Sequence, residues 1–340
     1  MKEFKPRGLA THIGSLPYTD PAEACQLVLK YLPEIPAWPQ LPKRSTFENM
    51  YIQFSEGFPG LNFRDDHIYV DRSLDLTEQL EQLYKDYLGN EFEKYGLSSD
   101  YAAGFNSFLS QKLDQAIAVK GQVTGPISFG LVVTDQNRRP IVYDDTLAEA
   151  LARYLRLKAI WQENALSRLS SNTIIFIDEP YLASVGSAFV SLPSDKITRL
   201  LEEVLGGIKG LKGIHCCGNT DWPLLLNTSI DILNIDAYTY GDSLIAYPAQ
   251  VKAFLERGGV IAWGIVPNDE QVLPQENVTN LMGHLRELMG SLLSKGISYD
   301  ILIEQSMITP SCGLGTLSTQ GALRVLELTA EVSKRVRKEF

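Results

Sequence analysis

The chain has 340 residues, 44% hydrophobic and 21% charged, which is the composition of a globular protein with a large core rather than a disordered or fibrous one. Its net charge of −10 argues against nucleic acid or an anionic membrane as partner, since both demand clustered Lys and Arg. No apolar run approaches the ~18 residues that span a bilayer, no apolar segment follows the charges of Met1 to Arg7, and four cysteines are too few for a disulfide framework at this length; a cytoplasmic protein is expected.

Strand-like and helix-like stretches alternate along the chain. A first strand is predicted over residues 8–13, closing on Gly14-Ser15, and a helix over 21–32. Pro33, Pro36, Pro39 and Pro42 make residues 33–42 too rich in proline for a helix or a central strand. A second strand is predicted over 50–54, ending in Ser55-Glu56-Gly57, with helices over 74–95 and 100–113. The third strand, 116–123, runs into Thr124-Gly125-Pro126, and a long helix follows over 144–169. The fourth, 173–177, ends in Asp178-Glu179-Pro180 before a helix over 194–205. Strands over 212–216, 230–235, 259–263 and 301–305 follow, separated by helices over 221–226, 243–256 and 275–294. A closing helix covers 318–336.

Eight strands, each followed by a helix, imply a parallel sheet. The count points to an α/β fold, a closed (β/α)8 TIM barrel that takes residues 1–340 as a single domain, with an open doubly wound sheet as the competing arrangement. Catalytic groups of such barrels lie at the C-terminal strand ends. Those ends here carry His12 to Ser15, Glu56, residues 122–124, Asp178 with Glu179, His215 to Cys217, Asp236, Trp263 with Gly264, and the loop bearing Cys312.

His215, Cys217 and Cys312 form a soft N/S donor set on separate strands, the chemistry zinc prefers. His215 and Cys217 stand two apart, so on an extended strand end they point the same way, with Cys216 turned toward packing. Asp236, after the neighbouring strand, is the candidate fourth ligand, and it is equally a candidate cap for the next helix.

His215-x-Cys217, residues 231–236 and Pro310-x-Cys312-Gly313-Leu314 resemble the C-terminal catalytic barrel of cobalamin-independent methionine synthases. Ile13-Gly14-Ser15, Thr124-Gly125-Pro126 and Ile177-Asp178-Glu179-Pro180 match further motifs of that family in the same order, in short islands over residues 10–320. The segment from His215 to Thr220 is also similar to zinc methyltransferases acting on coenzyme M, within the uroporphyrinogen decarboxylase-like superfamily. The resemblance implies zinc on His215, Cys217 and Cys312, with Asp236 where the family has Glu. It implies that Ser15 and the backbone near Ile13 hold the carboxylate of homocysteine, that Asp178 holds its amino group, and that Glu56 is a further amino-group ligand.

The expected activity is therefore zinc-dependent methyl transfer to a thiol, homocysteine giving methionine. The donor is methyltetrahydrofolate or methylcobalamin, the latter free or on a corrinoid protein. The family's pterin-stacking Trp is missing after Thr124-Gly125-Pro126, where residues 127–133 hold none. A folate donor needs a general acid, for which Glu179, Asp178 and His12 are candidates. Coenzyme M is the alternative acceptor. A uroporphyrinogen decarboxylase-like lyase is a different class, with only Arg44 to begin its anion pocket; a non-catalytic protein with structural zinc is the third.

Overall fold

The computed structural model describes residues 4–64, 67–188 and 190–339. Met1 to Glu3, part of the stretch read for a signal segment, lie outside them. The strands are β1 (Leu9–Ala10), β2 (Leu61–Arg64), β3 (His67–Val70), β4 (Val119–Thr124), β5 (Thr134–Asp135), β6 (Thr173–Asp178), β7 (Leu211–Cys216), β8 (Ile232–Ile235), β9 (Val260–Val266) and β10 (Ser306–Pro310). Seven of them form one curled sheet in the order β1-β10-β9-β8-β7-β6-β4, and each neighbouring pair is parallel. A second, three-stranded sheet pairs β2 with β3 antiparallel and β3 with β5 parallel.

The alternation along the strands sorts residues into two layers. Outward residues such as Ile175, Ile177, Ile214, Cys216, Leu233, Ile235, Ile261 and Trp263 join the large core under the helices. Inward residues Leu9, Ile174, Phe176, Ile232, Val260, Ala262 and Met307 form a separate apolar floor. Further along the same strands the inward positions turn polar: Lys120, Gln122, Thr124, Asp178, His215, Asn234 and Thr309 are all buried. The apolar floor fills one end of the sheet interior, and buried polar side chains occupy it toward the C-terminal strand ends.

Two predicted strands are corrected. Residues 50–54 form a helical turn, Met50–Gln53, because Asn49 accepts from Tyr51 N and caps it. The apolar run at 301–305 is the helix Tyr299–Glu304, and the strand is the next segment, β10. A short apolar run fits either element. Ser306 and Thr309 in β10 look too polar for a buried strand, yet both are wholly buried. The hairpin of β2 and β3 was not anticipated.

The proline-rich stretch holds the place expected of the second strand. Ala37 bridges Lys120 in β4, and Gln40 bridges Ser15 just beyond β1, both parallel, so residues 37–40 touch both edges of the seven-stranded sheet. Pro36 and Pro39 offer no N–H. The backbone contributes two bonds to each edge: Lys120 N to Pro36 O (3.0 Å) and Trp38 N to Lys120 O (3.4 Å), and Gln40 N to Gly14 O (3.0 Å) and Leu16 N to Gln40 O (2.9 Å). Side chains supply the rest. Trp38 Nε1 donates to Gln162 Oε1 (3.0 Å), Gln162 Nε2 to Gln122 O (3.0 Å), Gln122 Nε2 to Trp38 O (3.2 Å) and Gln40 Nε2 to Gln53 Oε1 (2.7 Å). Ile35 adds its side chain to the apolar floor.

The helix Ala103–Leu109 packs against this stretch through Gly104, where a Cβ would lie 1.9 Å from Pro39 O. Gly104→Ala must displace the backbone of the seam, and is expected to destabilise the protein by about 1–3 kcal/mol. Thermal melting checks this; an unchanged midpoint would show that the seam is free to move.

Candidate metal centre

The end of β7 builds the centre. His215 faces inward on the strand, Cys216 faces outward into the core, and Cys217 turns inward again just beyond it. The loop after β10 brings in Cys312. The ligand atoms of His215, Cys217 and Cys312 all lie within 4.8 Å of one another, and His215 Nε2 is 3.7 Å from Cys312 Sγ. His215 is 2% exposed, and both sulfurs are half-buried.

The imidazole is held from behind. Asn234 Oδ1 is 2.5 Å from His215 Nδ1, and Asn234 Nδ2 donates to Ala262 O and to Thr309 Oγ1, both at 2.8 Å. With its amide nitrogen committed twice, Asn234 presents only an acceptor to the ring. Nδ1 therefore carries the proton and Nε2 keeps its lone pair for a cation, the arrangement that hydrogen bonds behind ligating histidines produce in metal sites. Asn234 was not singled out in the sequence; its inward register opposite His215 is the signal that marks it.

Charges are concentrated here. The Cys312 thiol and then His215 hold the Cys217 thiol below its ordinary range against burial, while that same shared proton and burial raise Cys312. Burial works to lower His215, but the Cys217 sulfur and the Asp178 carboxylate outweigh it and the ring is raised. Three donors sharing protons within such a span suit a soft divalent cation that displaces them.

The remaining predicted residues separate into groups. Asp178 pairs in register with His215 and is 5% exposed. Burial raises its carboxyl, opposed by His215 and Lys120. Its Oδ1 finds no hydrogen-bond partner among the described residues, which leaves a buried acceptor for a ligand's donor. Ser15 adjoins the Cys312 loop: Leu314 N donates to its carbonyl (2.9 Å) and Gly315 N to its Oγ (3.2 Å). Ile13 O accepts from Lys120 Nζ at 2.7 Å.

Five residues named from the sequence are engaged elsewhere. Asp236 lies outside the trio, and its Oδ1 accepts from Thr239 N as the cap of helix Ala237–Ile245. Glu179 takes Ile127 N (2.9 Å), Ser128 N (2.7 Å) and Ser128 Oγ (2.6 Å), so both oxygens hold the first turn of helix Pro126–Val132. Burial pushes its carboxyl up to about 7 against those three donors. Glu56 Oε2 accepts from Ser98 N at 2.9 Å, and Glu56 O from Tyr154 Oη at 2.5 Å. His12 donates from Nε2 to Ala37 O at 3.1 Å; burial and then Lys120 lower it to about 3, so the ring is neutral. Arg44 is paired with Glu48 at 2.8 Å.

Tyr51 was missed because its segment was read as a strand. Its hydroxyl is pushed up by burial, then by Tyr181, Glu179, Cys217 and Asp178, which places it in the field of the centre. The Tyr51 and Tyr181 rings meet edge-on at 6.3 Å.

No protein-family model and no curated protein matches the sequence. Among solved structures, the chain is similar to a B12-independent methionine synthase from Shewanella sp. W3-18-1 in complex with selenomethionine, at 16% identity and a TM-score of 0.61, over 97% of this chain and 98% of that one. It is also similar to a methyltransferase from Methanosarcina mazei, at 14% identity and a TM-score of 0.55, over 95% and 86% of the two chains. The likeness is one of fold, spanning the whole length. No helix among the described residues is long and apolar enough to cross a membrane.

Two outcomes follow from this geometry. Asn234→Leu removes the acceptor behind His215 and is expected to weaken zinc binding about 10- to 100-fold; competition with a chromogenic chelator reads this, and unchanged affinity would dismiss the role given to Asn234. His12 takes a proton below pH 6.5 when unfolded but only near 3 when folded. Stability is thus complete above 6.5 and is lost as pH falls through that window. In His12→Gln, the slope of unfolding free energy against pH should flatten there by up to ~1.4 kcal/mol per pH unit, as followed by denaturant titrations.

Proposed function

We propose that this protein is a zinc-dependent methyltransferase that alkylates the thiol of homocysteine to give methionine. The supporting observation is the convergence of His215, Cys217 and Cys312 within 4.8 Å beside the unpartnered, buried carboxylate oxygen of Asp178. We read the seven strands together with residues 37–40 as one eight-membered (β/α)8 barrel, the whole chain being a single catalytic domain. The shared fold with a methionine synthase and a methyltransferase supports the same chemistry.

Zinc bound by these donors would deprotonate a coordinated thiol and present it as a nucleophile. The protein's own groups orient the acceptor. Asp178 accepts from the ammonium through Oδ1, and the turn of Ile13 and Ser15 receives the carboxylate. Holding both ends fixes the sulfur near the cysteines and supplies proximity. Asp236 is the candidate fourth ligand through the oxygen that does not cap the helix; without it the fourth position stays open for substrate. As the new S–C bond forms, the donor keeps the electron pair of the bond that breaks.

The choice of donor turns on a proton. A departing folate nitrogen must be protonated. Glu179 has both oxygens committed, His12 is neutral and tied to Ala37, and Asp178 is needed as an acceptor. A methylated corrinoid, free or carried on a partner protein, departs without a proton and is the donor this arrangement favours over methylfolate. Coenzyme M has no amino group to meet Asp178. A decarboxylase-like reading loses its cation, since Arg44 is tied to Glu48. Cys217 and Cys312 are only partly buried, which favours a catalytic centre over a sealed structural one.

The test offers homocysteine and coenzyme M in turn with methylcobalamin and methyltetrahydrofolate, and measures the thioether formed. Homocysteine with methylcobalamin is expected to give product fastest. Cys217→Ser and Cys312→Ser are expected to lose both bound zinc and alkylation. Full zinc retention in both variants, by metal analysis, would refute the ligand assignment.

A further inference from the structure

Lys120 is a buried cation that the proposed chemistry leaves unused. It faces inward on β4, is 0% exposed, and has Nζ 4.5 Å from the centre of the Phe176 ring. Its register partner on β6 is Ile174, part of the apolar floor. Burying an ammonium is costly unless its hydrogens are matched, and packing alone would be served as well by an aliphatic side chain. Here Nζ donates to Ile13 O at 2.7 Å and to Gln122 Oε1 at 3.2 Å.

Ile13 opens the turn that carries Gly14 and Ser15. The turn is wedged: a Cβ on Gly14 would lie 2.4 Å from Gln40 Oε1 and 2.8 Å from the Gln122 amide. Its far end holds the Cys312 loop through the two bonds from Leu314 and Gly315. Lys120 is also an opposite charge acting on Asp178. One ammonium thus grips the backbone assigned to the acceptor's carboxylate and carries the charge opposite to the side chain assigned to its amino group.

We infer that Lys120 is a positioning residue for an α-amino-acid acceptor: from beneath the site it fixes the turn at residues 13–15 and sets the charge pattern that recognises a zwitterion. This rests on the reading of Asp178 and the turn as the acceptor site. It predicts a selective defect, because a thiol without charged ends uses neither feature.

The experiment compares the zinc-loaded wild type with Lys120→Met and Lys120→Arg. Calorimetry reads methionine binding without turnover. Kinetics with methylcobalamin read KM and kcat for homocysteine and for 1-propanethiol, which has neither charged group. Metal analysis and melting curves are run alongside. In Lys120→Met, methionine binding should weaken and the homocysteine KM should rise by roughly 10- to 100-fold, the span of one charge-assisted hydrogen bond. The propanethiol KM and the zinc content should hold, and Lys120→Arg should recover part of the loss. Equal losses with both thiols, loss of zinc, an unchanged homocysteine KM, or a wild type that binds no methionine would each overturn the inference. If Lys120→Met does not fold, Lys120→Gln carries the same comparison. Failure of the broader reading shows separately, as a wild type that alkylates neither thiol while its methionine binding is still measured.

Discussion

The sheet interior has to satisfy polar groups that water cannot reach, and that requirement organises everything above the apolar floor. Lys120, Gln122, Asp178, His215, Asn234 and Thr309 are each 5% exposed or less. Each is tolerated there only where a neighbour supplies the missing donor or acceptor. Asn234 is the clearest case: it spends both amide hydrogens on Ala262 and Thr309, and by doing so fixes which nitrogen of His215 is left for a cation. The centre's tautomer is thus set by groups on β8, β9 and β10, none of which is itself a ligand. Asp178 is the exception, with an acceptor unmet that a ligand's donor could complete.

Much of this could be read from the chain because alternation is a local rule. The spacing of His215 and Cys217 placed both on one side of a strand end and Cys216 on the other, as the structure has them. The failures share a cause: short segments whose composition fits two elements. The apolar run at 301–305 fits a strand as well as a helix, and the strand is the next segment, which includes the buried Ser306 and Thr309. Residues 50–54 misled in the same way, and Tyr51 was lost with them.

Role assignments were harder to read than positions. Glu179, His12 and Asp236 sit where strand ends predicted; the capping role of Asp236 was legible locally, but the partners of Glu179 and His12 lie far away in the sequence. Glu179 meets Ser128 across 51 residues, and His12 meets Ala37 across 25. Such pairings depend on packing, which no spacing rule encodes. The same applies to Lys120, whose burial has no local signature beyond its inward register.

The seam of residues 37–40 has a consequence for how the molecule breathes. The rest of the sheet is stitched by ladders, whereas this joint consists of two isolated bridges, each with two backbone hydrogen bonds, helped by long glutamine side chains. Local opening is cheapest where backbone pairing is sparsest. The first place for solvent to slip into the interior is therefore this joint, directly beside Ser15 and the loop of Cys312. A fluctuation there loosens one sulfur while leaving the imidazole, anchored on the opposite wall, undisturbed.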